Sequence, residues 1–252
     1  MAGGTAIIPG ITSGSLDIGN SNIGSLGAAY AHGLPVVVLA PGAVYDQKKQ
    51  ATALVVADPA IKTAAGLAGK IVAVNGLHDI VMFATTAWLT QNGADANAVK
   101  FVEIPFPEMP IAVQRGTVDA AVIAEPALST ALSPAYAQRV LGYPYDAVNG
   151  RKPFLITAWF TTQDWLKSHK DVARRFVDAI GETSRWANAN PAQTAPILAK
   201  YIKLSPEVLA SMTRSIYGRD LAANEIQPVL DLAFKERLFT PAVPAAAITA
   251  TM

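Results

Sequence analysis

Three observations place this chain in the α/β class. Short runs of β-favouring residues alternate with runs of helical periodicity as far as residue 143. One more β-rich run follows at 154–161, and beyond it the pattern is purely helical. Of the 252 residues 51% are apolar, enough to bury one large core or two modest ones.

The elements follow in order. Residues 5–13 read as a short helix ending near Gly14, and 16–19 as a strand. Asn20-Ser21-Asn22 is a polar turn able to cap the small-residue helix 23–32, which Gly33 closes. Residues 35–40 form a continuous apolar strand, expected to be buried on both faces, and it ends at Pro41-Gly42-Ala43-Val44-Tyr45. A strand at 51–57 precedes the Asp58-Pro59 turn and a short helix at 63–67. Four β-favouring residues at 71–74 then meet Asn75-Gly76, and apolar positions recur at helical spacing from Ile80 until Asn92-Gly93 stops them. This strand, turn and helix leave the first helical amides pointing outward with the positive end of the helix dipole behind them, so a negative or strongly polar ligand group is expected there. His78 and Asp79 stand at that mouth, and Asp79 also fits an N-cap.

Strands at 99–104, 118–123 and 139–143 alternate with helices at 107–115 and 126–132. A linker, Asn149-Gly150-Arg151-Lys152-Pro153, leads to the strand 154–161, and Thr161-Thr162-Gln163-Asp164 fits a capping box for the next helix. Residues 171–190 carry Val172, Phe176, Ile180, Thr183 and Ala187 on one stripe. Helices at 191–202, at 205–216 with Ser205 as cap and Pro206 in first position, and at 225–238 complete the chain. Residues 11–19 and 113–121 share the order helix end, Gly, one residue, Leu or Val, Asp, strand, which suits two lobes built on one plan.

A formal charge of +1 with acids and bases interspersed offers no basic stripe for nucleic acid and no polybasic segment for a membrane surface. No apolar stretch is long enough to span a bilayer, and the opening residues do not read as a signal peptide. The absence of cysteine excludes disulfides, thiolate catalysis and cysteine-ligated zinc.

The run Gly14-Ser-Leu-Asp-Ile-Gly19, Gly33-Leu-Pro-Val-Val-Val38, Ala53-Leu-Val-Val-Ala-Asp-Pro59, Leu67-Ala-Gly-Lys-Ile-Val-Ala-Val74, Gly116-Thr-Val-Asp119 and Glu125-Pro126 resembles a known family. It is similar in order and spacing to the solute-binding proteins of nitrate, taurine and aliphatic-sulfonate ATP-binding-cassette importers, a group that includes thiamine-precursor binders. The resemblance implies a type II periplasmic-binding-protein fold. Two α/β lobes would be joined by crossing strands at 51–57 and 154–161, with lobe one from 1–57 and 153–252 and lobe two from 58–152. It also implies an extracytoplasmic location, a small polar or anionic organic ligand such as a sulfonate, taurine or nitrate-like ion, and a membrane permease as partner. The family's first strand-helix-strand unit is missing here, so lobe one is expected to present a raw strand edge open to pairing with a second copy.

Ligands in α/β lobes sit outside the carboxyl ends of strands. The candidate ligand-binding residues are therefore Asn20, Ser21, Asn22, Gly42, Tyr45, Asn75, Gly76, Leu77, His78, Asp79, Pro107, Glu125 and Trp159, with Tyr45 and Trp159 as aromatic walls. Asp17 and Asp119 are expected to fix the turn before each strand rather than to bind. No catalytic residue, metal or cofactor is expected: there is no nucleophile elbow, phosphate loop or dinucleotide fingerprint, and His32, His78 and His169 fall on separate elements. The rival reading is a small-molecule enzyme on the same fold, of the thiamine-pyrimidine synthase or menaquinone-pathway dehydratase type, with His78, Asp79 and Glu125 as acid and base.

Overall fold

The structure, a computed structural model, describes residues 7–202, 204 and 206–251. The chain opens with α1 (Ile7–Thr12), β1 (Gly19–Asn22), α2 (Ile23–Ala31), β2 (Val36–Pro41) and β3 (Ala43–Tyr45). Then come β4 (Thr52–Val56), β5 (Ile71–Val74), α3 (Ile80–Gln91), β6 (Lys100–Glu103), α4 (Met109–Gln114), β7 (Ala120–Ala124), α5 (Ala127–Ala131) and β8 (Arg139–Gly142). The return runs through β9 (Phe154–Leu155), β10 (Thr157–Thr162), α6 (Gln163–Ser168), α7 (Lys170–Ala189), α8 (Pro191–Tyr201), α9 (Pro206–Ser211), β11 (Ile216–Tyr217), α10 (Ala223–Lys235) and α11 (Ala245–Ile248).

Strands β4 to β8, except for their loops, make one five-stranded sheet in the order β6-β5-β7-β4-β8. Its helical connections place β5, β6 and β7 parallel, whereas β4 runs antiparallel to β7 and β8. Alternate side chains of the sheet feed two cores. Leu54, Val56, Val72, Val74, Ala120 and Val122 join the larger one, while Ala53, Val55, Ala73, Ala121 and Ile123 pack on Met109, Val113 and Leu128 of α4 and α5. A second sheet, β1-β10-β2, and a small third one, β11-β3-β9, hold the remaining strands. Residues 46–51 and 143–153 carry the chain between the sheet systems, and the expected crossing strand at 51–57 lies wholly within the five-stranded sheet.

Several elements differ from expectation. The first strand starts at Gly19, and Asn20, Ser21 and Asn22 are strand residues paired with Trp159, Ala158 and Thr157, not a turn. Residues 16–18 lack the buried side chains a strand needs, with Leu16 left exposed. The helix expected to reach residue 216 stops at Ser211, and Ile216 instead pairs with Val44. The capping role expected of Ser205, like the first residues of the 5–13 helix, lies outside the described residues. Helix α7 buries Ala173 and Ser184, so the inward stripe is turned by about one residue and Val172 and Thr183 face solvent. The outer side of β2 is partly covered by the end of the chain, where Thr249 bridges Val38 and Ala250 N–H donates to the Val38 carbonyl at 2.9 Å.

The paired Gly-x-x-Asp segments do have like structures. Gly14 and Gly116 end α1 and α4 in the left-handed region, at φ of 76° and 68°. Asp17 accepts from the Trp165 indole at 2.8 Å, and Asp119 accepts from Ile71 N–H at 2.8 Å and pairs with Lys70 at 3.1 Å. Each carboxylate thus ties the start of its strand to a neighbouring element.

Candidate functional site

A cavity of about 370 Å³ opens where the sheets face one another, between the ends of β1, β3, β4, β5, β7 and β10. Of the residues singled out in the sequence, it brings together Asn20, Ser21, Asn22, Tyr45, Asn75, Asp79 and Glu125. Lys49, Gln50, Thr52, Phe106, Tyr145, Ile156, Thr157, Ser215 and Ile216 join them.

Two helices start at this cavity, each with a buried cap. Asn22 accepts from Ser25 N–H at 2.8 Å at the head of α2, and its own amide nitrogen donates to the Ser25 hydroxyl at 2.9 Å. Asp79 does the same for α3, where Oδ1 accepts from the N–H groups of Val81 at 2.9 Å and Met82 at 3.4 Å. The outward-pointing amides expected to receive a ligand are therefore already capped by the chain itself. Asp79 is only 2% exposed, and its pKa is pushed up to about 6. Burial is the main cause; the two amides and a side-chain hydrogen bond from Asn75 oppose it, and the Glu103 charge adds to it.

Gly76 lies against this carboxylate. A Cβ there would come within 2.9 Å of Asp79 Oδ2. Close approach, not a left-handed backbone, is what requires glycine at this turn. Gly42 is likewise a support, since a Cβ would fall 2.3 Å from Thr157 Oγ1 and 2.9 Å from Asn20 Nδ2. It lets the β2–β3 corner sit on the wall without itself facing the cavity.

Glu125 lines the cavity, but its oxygens are engaged. Oε2 accepts from Ser129 N–H at 3.0 Å; Oε1 accepts from the Ser129 hydroxyl at 2.9 Å and from Thr213 N–H at 3.0 Å. It thus joins the end of β7 to the C-terminal segment. Tyr45 donates to Asp146, receives Gln50 Nε2 at 3.1 Å, and stacks on Phe154 with centroids 4.9 Å apart. Burial and the Asp146 carboxylate hold its phenol above the usual tyrosine range. Tyr145 is buried and raised by burial in the same way, with Thr52 as its side-chain partner.

Four candidates stand apart from the cavity. His78 is exposed, and Leu77 turns toward Glu103, whose carboxylate accepts its N–H at 3.4 Å. Pro107 is exposed on a short turn whose neighbour, Phe106, takes the place on the wall. Trp159 packs edge-on against Phe176 of α7, at 5.4 Å between centroids, so it belongs to the helix-sheet interface.

Two polar atoms of the cavity wall are buried without a hydrogen-bond partner among the described residues: Ser21 Oγ, in a residue 1% exposed, and Asn75 Oδ1. Most buried polar groups are paired, so these two atoms are exceptions within the cavity lining, one beside each of the two helix caps. Among the described residues no group of three or more His, Cys, Asp or Glu could hold a metal ion, and no helix is long and apolar enough to cross a membrane.

With this geometry in view, the chain belongs to the NMT1/THI5-like family, whose model matches residues 2–194. No curated protein sequence matches it. Its fold is that of the periplasmic binding proteins. The periplasmic aliphatic sulphonate binding protein SsuA from Escherichia coli is 22% identical, with a TM-score of 0.77, over 98% of this chain and 84% of that one. The alkanesulfonate-binding protein SsuA from Xanthomonas axonopodis pv. citri, solved bound to MOPS, is 19% identical with a TM-score of 0.78, over 98% and 85%. The ligand binding component of an ABC-type import system from Staphylococcus aureus, solved with zinc bound, is 16% identical with a TM-score of 0.80, over 99% and 84%.

Proposed function

We propose that this chain captures a small polar organic molecule in the cavity and delivers it, without chemistry, to the membrane permease of an ATP-binding-cassette importer on the extracytoplasmic side. The observation that carries the reading is the pair of unpartnered buried atoms, Ser21 Oγ on β1 and Asn75 Oδ1 after β5, in residues that line one cavity from its two sides. The descriptions of the three solved relatives above, all binding components, support it. In this reading β4 to β8 with their helices form one lobe, the other strands and the C-terminal helices form the second, and both close on the ligand. Covering of β2 by Thr249 and Ala250 leaves less free edge for a second copy than the sequence implies, so the functional unit is proposed to be a monomer.

A proton-transfer enzyme draws support from one group, Asp79, whose pKa burial raises to about 6. It has little else: His78 lies outside the cavity, and Glu125 spends both oxygens on the chain's own donors. The test is native mass spectrometry of the chain after incubation with a bacterial metabolite extract. One small-molecule adduct is expected, lost in the Ser21→Ala, Asn75→Ala double variant. No adduct, or one retained by the folded double variant, overturns the reading, and steady conversion of the captured molecule would favour the enzyme.

A further inference from the structure

The dipeptide Asn-Gly occurs at Asn75-Gly76, Asn92-Gly93 and Asn149-Gly150. It is the pair of residues most given to losing the side-chain amide, because glycine puts no side chain in the way when its backbone nitrogen attacks the preceding asparagine. The attack starts when the glycine N–H gives up its proton to water or hydroxide. The nitrogen then bonds to asparagine Cγ, negative charge gathers on Oδ1, and ammonia leaves with the side-chain nitrogen and the proton given up, closing a succinimide ring. Water opens that ring at either carbonyl. One opening gives aspartate, and the other gives isoaspartate, whose main chain is longer by one carbon. The three dipeptides share this chemistry, so the fold decides among them.

At Asn92 both ends of the reaction are occupied. Its amide nitrogen donates to the Trp88 carbonyl at 2.8 Å and the Gly93 N–H donates to the Thr90 carbonyl at 3.1 Å, so attack must first undo the end of α3. At Asn75 the surroundings are the obstacle. Gly76 is buried, the Asn75 amide donates to Asp79, and Asn75 Oδ1 is buried without a donor. Charge gathering on that oxygen would find no hydrogen bond to hold it and a carboxyl group nearby, the reverse of what lowers such a barrier.

Asn149 meets neither obstacle. Its amide nitrogen donates to the Pro153 carbonyl at 3.0 Å and its backbone carbonyl accepts from Lys152 N–H at 3.1 Å, but the Gly150 N–H and Asn149 Oδ1 have no partner among the described residues. Gly150 is exposed, in the left-handed region at φ of 56°. Arg151 and Lys152, the next two residues, are exposed cations, and the acid of this loop, Asp146, is paired with Arg151 at 3.2 Å. The attacking nitrogen is therefore free where water and base reach it.

We propose that Asn149-Gly150 is a site of spontaneous deamidation in the folded chain, with water as the only co-reactant, and that folding holds Asn75 and Asn92 back. The site is independent of what the cavity takes. It falls in the segment 143–153 that joins the sheet systems, where it trades the donor held by Pro153 for a carboxylate two residues from Arg151.

The test compares the whole chain, folded and unfolded in guanidinium chloride, in one mildly alkaline buffer made with oxygen-18 water. Mass-spectrometric peptide mapping follows each dipeptide, and labelling by isoaspartyl methyltransferase reports isoaspartate. In the unfolded chain all three should convert at like rates, each taking up one heavy oxygen. Folding is expected to slow Asn75 and Asn92 by about ten-fold or more, the scale of one hydrogen bond that must break first, and Asn149 by less than about three-fold. Asn149→Gln should remove the isoaspartate label from the folded chain. Protection of Asn149 equal to that of either other site, or a label that survives Asn149→Gln, would overturn the proposal.

Discussion

Asn22 and Asp79 do one structural job in two ways. Both are buried, both cap a helix that starts at the cavity, and α2 and α3 touch one another behind them, where a Cβ on Gly24 would strike the Phe83 ring at 2.5 Å. Asn22 performs the task with a neutral amide that is internally satisfied by Ser25. Asp79 performs it with a carboxyl that burial makes reluctant to ionise. The contrast separates capping from charge, because the first wall of the cavity shows that this fold caps a helix at the same place without the second wall's desolvation cost.

The largest expected effect concerns the glycines that support the two walls. Gly42→Val places carbon against both the hydroxyl and the carbonyl of Thr157, the latter at 2.8 Å from the first added atom, and backbone cannot swing aside. A loss of about 3 kcal/mol or more in urea unfolding is expected. Gly76→Val meets only the Asp79 side chain, so it should stay folded with a smaller loss, about 1–2 kcal/mol, and lose ligand affinity as the carboxylate is pushed away. Equal losses of stability at the two positions would refute this division of labour.

Next comes Asp79→Asn. The carboxyl has a pKa of about 6 in the folded chain against 3.8 when exposed, so the folded state holds its proton more tightly. Stability from this group is full below about pH 4 and is lost as pH rises through about 6, on the order of 3 kcal/mol at about 1.4 per unit. Asparagine keeps the cap and removes the titration. Urea midpoints of the ligand-free chain should therefore rise at pH 7 and converge with the parent near pH 4; a variant less stable than the parent at pH 7 would show that the charge serves the fold.

The converse substitution, Asn22→Asp, installs the same cost on the other wall. It should lower stability at pH 7 by about 1–3 kcal/mol and recover part of it at pH 5, whereas a pH-independent loss would point to packing alone. Smallest of all, His78→Ala should change stability by no more than a few tenths of a kcal/mol and leave affinity within two-fold, since the imidazole is exposed and away from the cavity. A ten-fold loss of affinity would return it to the site.

The order of the elements and the cap at Asp79 were legible because periodicity and turn chemistry are local signals: Ile80 begins a helical repeat directly after an Asp, and Asn75-Gly76 ends an apolar run. Part of the cavity lining was legible too, namely Asn20, Ser21, Asn22, Tyr45, Asn75, Asp79 and Glu125, through the expectation that residues following strands meet in a cleft. The rest followed from strand direction, which is not local. Thr52 and Thr157 open β4 and β10, and these strands run antiparallel to β7 and β1, so Thr52 sits opposite Ala124 and Thr157 opposite Asn22. Their amino ends thus lie where their neighbours' carboxyl ends lie. A threonine opening each apolar run was the available signal. Trp159 misled because a large aromatic on a return strand can face a helix or a cleft with equal ease, and only the position of Phe176 decides.

Two side-chain links described at the cavity, Tyr45 to Asp146 and Glu125 to the amide of Thr213, each join a segment on one side to a segment on the other. In the capture reading, an opening that parts these segments would break the links between them. In that reading the time a ligand stays inside depends on these links as well as on its own contacts. Removing one of them, as in Tyr45→Phe or Glu125→Ala, would shorten residence through a faster off-rate and leave the rate of entry nearly unchanged. In the capture reading, a permease that engaged either link would hasten delivery by touching the protein alone.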